Sequence, residues 1–197
     1  ISSEFNVVDL AYLAKLESVI KSADKSFGEN DYTGALIATE QAFWDFCDNY
    51  LEIVKTRAYA GDKSALVSLL YALETFAALF APFMPFITEE VVNAHPWNTN
   101  GHSIHTTPYP STWTGFIPDE FIGKFAGYEQ LCELVSIVRG RKSTDGKSMK
   151  FPIAKLTVAD NEFLRSAEID IKNVLSVTEL IFAGDDLVGE LIWGNVE

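Results

Sequence analysis

The stretch AFWDFCDNYLEIVKTRAY, residues 42–59, decides the fold class of this chain because its apolar residues recur at helical spacing. The stripe consists of Phe43, Phe46 or Cys47, Tyr50 and Val54. The acids Asp45, Asp48 and Glu52 lie off this stripe, where solvent or a basic partner would meet them. The stretch therefore predicts a long amphipathic helix with one face in a hydrophobic core.

Further helical stripes flank this stretch and predict an antiparallel bundle. Asp31 is a candidate N-terminal cap for the central helix, and Gly61 ends it. The helix after Gly61 is apolar on most of its surface, as expected for a central helix, and Pro82 and Pro85 terminate it. The predicted helices cover residues 9–27, 32–60, 63–80 and, briefly, 87–94.

The second half of the sequence predicts a small α+β unit. A long connection rich in proline and aromatic residues holds one possible short strand near Ser103–Thr106. A helix then runs from Pro118-Asp119 to about Arg141, and a later short helix has Asp160 as its possible cap. Alternating runs predict strands at IAKLTVA (153–159), VTELIFA (177–183) and LVGELIW (187–193).

The fold class is thus mainly α, an antiparallel helical bundle followed by a small α+β unit. We expect the bundle over residues 1–100, a connection over 101–117 and the α+β subdomain over 118–197.

The charge of the chain is strongly negative and unevenly distributed. The net charge is −13, yet residues 139–155 hold six of the 15 basic side chains and one of the 28 acidic ones. A basic island of this kind suits phosphate contacts, although a solvated loop would have the same composition. The sequence contains no run of 18 apolar residues, so we expect no membrane-spanning helix. Cys47 and Cys132 lie in apolar helical patterns, as free buried thiols would.

Residue patterns for catalysis are weak, and we expect no catalytic and no metal-binding residue in this chain. His102 and His105 lie in a loop with no third ligand nearby in the sequence. KSMK, residues 147–150, is similar to a phosphate-stabilising lysine-serine loop, but the residue order differs and no glycine-rich nucleotide loop accompanies it. We interpret it as part of the basic loop.

With these patterns established, the sequence resembles the anticodon-binding helical domain of the valyl-tRNA synthetase family of class Ia. The resemblance rests on residues 42–59 and on LFAPFMPFITEEV, residues 79–91, runs at least from Asp9 to Pro110, and extends more loosely over 135–159. The valyl form of the first motif is matched by Phe46, Cys47, Asp48, Tyr50, Leu51, Glu52 and Lys55.

The resemblance implies a function in binding the anticodon stem-loop of tRNA(Val). The family's catalytic motifs and editing domain are missing, and the chain does not begin with Met. We therefore expect a fragment of a monomeric, cytoplasmic valine–tRNA ligase. ATP, with Mg²⁺, would be used by the catalytic part, and no cofactor is expected in this fragment.

The expected tRNA contacts combine basic side chains with polar groups on the third helix. Basic residues would position phosphates, and exposed aromatic and small polar residues would meet unstacked bases. The candidates are Lys55, Arg57, Ser68, Tyr71, Arg139, Arg141 and Lys142. Two alternatives stay open: an isoleucyl-type synthetase domain, and a helical protein-interaction module without RNA binding.

Overall fold

The computed structural model describes residues 5–95, 101–110 and 125–195. Its helices are α1 (Val7–Gly28), α2 (Tyr32–Asp45), α3 (Leu51–Tyr59), α4 (Lys63–Phe80), α5 (Pro85–Asn93), α6 (Ala126–Thr144), α7 (Glu162–Ser166) and α8 (Glu168–Leu175). A π-helical turn (Phe46–Tyr50) joins α2 to α3, and a 3₁₀ turn covers Ile104–Thr106. The strands are β1 (Ile153–Val158), β2 (Val177–Phe182) and β3 (Val188–Trp193). The predicted bundle followed by an α+β unit is confirmed.

The opening stretch forms a helix with one π turn rather than a continuous α-helix. Asp31 caps α2 as predicted, since its Oδ1 accepts a hydrogen bond from Gly34 N at 2.9 Å. The π turn accommodates one extra residue, which explains why either Phe46 or Cys47 fitted the apolar stripe. After the turn Tyr50 is fully buried and stacks on Tyr12, with ring centroids 3.7 Å apart.

Helix α4 turns inward the polar line formed by Ser64, Ser68 and Thr75, although the expected tRNA contacts need polar groups exposed on this helix. Ser64, Ser68 and Thr75 are buried, whereas Leu66 and Leu70 are exposed. Small side chains on the inner face let neighbouring helices approach, and Ser64 donates to a buried carboxylate of α1, Asp9 Oδ2, at 2.5 Å. Of the described helices, α4 alone is long and apolar enough to cross a membrane, and 56% of it is buried in this fold.

The α+β unit is built on a sheet whose described strands have the order β2-β1-β3. Strand β1 pairs in parallel with β2, with Ile153 opposite Val177, and antiparallel with β3, with Ile153 opposite Trp193. Helices α7 and α8 form the crossover that a parallel pair requires. Helix α6 packs against both α1 and α8, so one core cluster extends from Leu13 in the bundle to Leu156 in the sheet.

Two local predictions in this half are wrong. Residues near Ser103–Thr106 form the 3₁₀ turn instead of the predicted short strand. Glu89 accepts hydrogen bonds from the Ser103 hydroxyl and the Ile104 N–H, which keeps this backbone out of an extended conformation. Asn161, not Asp160, caps α7 and accepts from Leu164 N, while Asp160 pairs with Arg165 at 2.6 Å.

Two further predictions concern residues outside the described ranges. They are the start of the 118–141 helix and the positions of both domain boundaries. From Ala126 onward that helix is confirmed as α6.

Arg57 joins the two halves through a buried cluster of charges. Its guanidinium, 8% exposed, donates to Asp9 at 2.8 Å, to Asp62 at 2.9 Å and to Asp170 at 2.7 Å. Asp9 also accepts from the Tyr50 hydroxyl at 2.7 Å. These partners belong to α1, the N-terminal cap of α4, α8 and the π turn. A single cation therefore ties the bundle to the α+β unit.

We expect Arg57→Met to destabilise the chain by about 3–5 kcal/mol, because it leaves two buried carboxylates without their cation. Urea unfolding followed by circular dichroism measures the loss. Lys55→Met is the matched control: Lys55 pairs with Glu52 at the surface, and its removal should cost about 1 kcal/mol or less. Equal losses for the two variants would contradict the assignment.

The loss of folding stability caused by Arg57→Met should also depend on pH. Burial raises the pKa of Asp170, and the Arg57 guanidinium opposes that rise. Without Arg57 the folded state binds a proton at Asp170 more readily than the unfolded state does. The stability gap between Arg57→Met and the wild type should therefore narrow as pH falls from about 7 to about 5. Unfolding measured at both pH values tests this, and a gap that widens at low pH would contradict it.

Candidate nucleic-acid interface

The end of α6 sends its three predicted basic side chains in three directions. An α-helix turns about 100° per residue, so Arg141 projects about 160° away from Arg139 and about 100° away from Lys142. Arg139 reaches α3, Arg141 reaches β3, and Lys142 enters the core. The basic island of the sequence is therefore not one surface in the fold.

The structure brings two of the predicted residues together, Lys55 and Arg139. Lys55 Nζ lies 2.7 Å from Glu52 Oε2, and Arg139 Nη2 lies 3.6 Å from the same oxygen. Arg139 also donates to the carbonyl oxygen of Asp48 at 3.4 Å. Two cations share one carboxylate at this surface, which leaves a net positive charge between α3 and α6.

A second positive surface surrounds the loop after α6 and is formed by Arg141, Lys147 and Lys150. Arg141 donates to the carbonyls of Gly189 at 3.3 Å and Val188 at 3.5 Å, which fix it against β3. Within the described parts of the chain, none of these three cations pairs with a carboxylate. Their charge is therefore available to a phosphate.

Lys142 is buried, and the expectation of an exposed cation there is corrected. Its ammonium donates to the carbonyl oxygens of Met149 at 2.8 Å and Leu175 at 2.7 Å. Burial lowers the pKa of Lys142, and the charge of Arg139 lowers it further. Lys142 thus fastens the basic loop to the end of α8.

Three other predicted contacts also lie away from open solvent. Arg57 is enclosed by its carboxylates, and Ser68 is fully buried. Tyr71 is half-buried against the core, and burial, with the charge of Glu17, raises its pKa to about 12. The expected exposure is wrong for Arg57 and Ser68. A role of any of the three in RNA contact stays a prediction.

Sequence reasoning missed the aromatic residues beside the basic loop. Trp193 Nε1 donates to Asp145 Oδ2 at 3.0 Å, and its ring lies edge-on to Phe151 with centroids 6.1 Å apart. Lys147 Nζ lies 4.0 Å from the Phe151 centroid and 5.1 Å from that of Trp193. The island composition pointed to Lys147, but only the antiparallel pairing of β3 with β1 brings Trp193 to it. Tyr59, 90% exposed at the end of α3, was also not singled out.

An open groove on the bundle is a different kind of surface. It has a volume of about 420 Å³ and is lined by α2, α4 and α5 residues that include Phe43, Trp44, Phe80 and Ile87. Glu40 is the charged residue among its described lining residues. The groove is therefore apolar and slightly acidic, which does not suit phosphate.

Comparison with known proteins agrees with this architecture. Residues 9–158 match the family model described as the anticodon-binding domain of tRNA ligase. The chain belongs to this family. The match extends from α1, across the bundle and α6, to the end of β1, so the basic surfaces on α3 and α6 lie within the anticodon-binding domain.

Individual relatives of this anticodon-binding domain are named valine–tRNA ligase. One from Tropheryma whipplei strain Twist is 42% identical over 154 residues, 78% of this chain and 17% of the relative. One from Cutibacterium acnes is 38% identical over 207 residues, 96% of the chain and 22% of the relative. One from Rickettsia prowazekii is 35% identical over 189 residues, 92% and 22% respectively. The chain spans about one fifth of the length of these relatives.

Residues for holding a metal ion are not grouped in the parts of the domain that the structure describes. No group of three or more His, Cys, Asp or Glu side chains is placed to bind a metal ion there. His105 Nε2 instead lies 3.0 Å from the carbonyl oxygen of Pro85.

We expect Lys142→Met to destabilise the domain by about 1.5–3 kcal/mol, because two buried carbonyls lose a charged donor. It should also speed amide hydrogen exchange over residues 145–151, since the loop loses its anchor. Thermal unfolding and exchange followed by mass spectrometry measure both effects. Lys150→Met, an exposed change in the same loop, is the control and should change neither. A Lys142→Met chain as stable as the wild type would contradict the anchoring role.

Proposed function

We propose that this chain is the part of a valine–tRNA ligase that binds the anticodon stem-loop of tRNA(Val). The family match over residues 9–158 carries the proposal. The relatives are named valine–tRNA ligase, which supports valine as the amino acid that the enzyme joins to tRNA. The resemblance of residues 42–59 to the valyl form supports the same amino acid.

The wider properties of the enzyme follow from the same proposal. Joining valine to tRNA with ATP and Mg²⁺, and editing, belong to other parts of a longer polypeptide, which acts as a cytoplasmic monomer. The role of this domain is to position the tRNA.

The distribution of charge supports RNA binding at a restricted surface. The chain is acidic overall, so most of its surface repels a phosphate backbone. Positive side chains cluster beside α6, where Lys55 and Arg139 share the single carboxylate of Glu52, and where Arg141, Lys147 and Lys150 form no ion pair in the described structure. Phosphate contacts there would fix the orientation of the stem-loop without reading its sequence.

We expect the 197-residue chain to bind a valine tRNA transcript in low salt, and reversal of charge on the second positive surface to weaken binding. Arg141→Glu with Lys150→Glu should reduce affinity roughly tenfold or more at about 50 mM salt and flatten the salt dependence, because phosphate contacts are lost. Fluorescence anisotropy across a salt series measures both quantities.

Lys25→Glu is the matched control for this experiment. Lys25 is an exposed cation at the far end of α1, 3.9 Å from Glu29. Its reversal should leave affinity within about twofold, because it lies away from the proposed contacts. Isoleucine tRNA, tested in parallel, distinguishes the isoleucyl alternative. A wild-type chain that binds no tRNA at low salt would overturn the proposed function.

Protein interaction is a second candidate function, and the apolar groove favours it. Trp44 is 57% exposed and Ile87 is 59% exposed in this groove. Exposed apolar side chains that form a contiguous patch commonly mark a protein-interaction site. A chain that fails to bind tRNA but keeps its fold would support this candidate.

A further inference from the structure

A cleft between α6 and β3 combines an aromatic wall with positive charge. Its volume is about 510 Å³, and it is lined by Ile137, Gly140, Arg141, Thr144, Asp145, Leu191 and Trp193. Ligand pockets commonly have volumes of about 300–1,000 Å³. The cleft is thus large enough for a small planar group and its substituents.

The indole of Trp193 is held in a fixed orientation at this cleft. Asp145 Oδ2 accepts its N–H at 3.0 Å, and Phe151 and Lys147 contact the same ring without lining the cleft. An aromatic ring already held by its neighbours loses little conformational entropy when a ligand stacks on it. The wall is therefore pre-organised.

Gly140 keeps the opposite wall open. A glycine inside a helix costs about 1 kcal/mol relative to alanine, so packing or a ligand usually accounts for one. Gly127, also in α6, is explained by packing, because a Cβ there would overlap the Phe163 ring. A Cβ at Gly140 would meet no atom within 4 Å and would point into open space. Packing therefore does not account for Gly140, whereas access to the cleft does.

The charges at the cleft select among planar ligands. Arg141 lines it, held by two β3 carbonyls, and forms no ion pair in the described structure, while the carboxylate of Asp145 in the same lining accepts the Trp193 N–H. Lys147 and Lys150 extend the positive charge of Arg141 along the loop. A planar group attached to a phosphate chain matches this combination of an aromatic wall and cations at its edge.

We propose that the α6–β3 cleft binds one unpaired nucleobase of the bound RNA, stacked on Trp193, with its phosphate beside Arg141. This rests on the proposed function, because it names a further contact for the same RNA. The second oxygen of Asp145 can accept a hydrogen bond from an exocyclic amino group, which favours adenine, cytosine or guanine over uracil. The cleft thus adds a base contact outside the helical bundle.

Filling the cleft from Gly140 tests this proposal with little risk to folding. Gly140→Leu places a side chain in the cleft while Trp193 and the core stay unchanged, and the helix gains by losing a glycine. We expect affinity for valine tRNA to fall roughly tenfold, the usual scale for one stacked base, with the salt dependence unchanged. Trp193→Ala should lose as much, and Trp193→Phe should retain most of the affinity.

Two controls separate stacking from general disturbance. Gly140→Ala adds only a methyl group to the cleft and should weaken binding less than Gly140→Leu does, with equal or higher thermal stability. Ile192→Ala changes the exposed neighbour of Trp193 on the other face of β3 and should leave binding unchanged.

The possible outcomes distinguish this proposal from the proposed function. A wild-type chain that binds no tRNA would overturn both. Wild-type binding that charge reversal weakens, but that Gly140→Leu and Trp193→Ala leave unchanged, would overturn the nucleobase site alone. Loss of self-association in Gly140→Leu, measured by sedimentation with tRNA affinity unchanged, would assign the cleft to a second copy of the chain and overturn the proposal.

Discussion

The buried guanidinium of Arg57 is the interaction on which the rest of the structure depends. One cation donates to Asp9, Asp62 and Asp170, whose elements are otherwise separated by long stretches of chain. Removing any of these charges from water is costly, and only the complete set of contacts offsets that cost. The bundle and the α+β unit are therefore held in one relative position.

This internal use of cations limits where an acidic chain can meet RNA. Three carboxylates balance the charge of Arg57, and Lys142 is buried against two backbone carbonyls, so neither cation lies at the surface for a phosphate to contact. Arg139 shares Glu52 with Lys55 and is half neutralised. Arg141, Lys147 and Lys150, which form no ion pair in the described structure, lie beside α6 in a chain whose net charge is −13. Few positive groups in such a setting can orient an RNA, because repulsion elsewhere excludes other orientations.

How much the sequence could predict depended on whether a pattern is local. Helical stripes and the Asp31 cap are local and were predicted correctly. The inward polar line of α4 was not, because Ser64 is buried by a hydrogen bond to Asp9, which lies 55 residues earlier. Arg57 presented the same difficulty, since a basic residue near a helix end is usually exposed. Trp193 joins the basic loop only through strand register, which composition does not reveal.

The position of α6 explains why the two halves must be fixed to each other. One face carries Arg139 toward α3, the inner face carries Lys142, and the third carries Arg141 and Gly140 toward β3. An RNA that touches both outer faces spans the junction that Arg57 secures. In the binding mode that we propose, phosphate contacts on one side set the position of a base on the other, so binding would depend on the angle between bundle and sheet. The buried cluster would then contribute to recognition without touching the RNA.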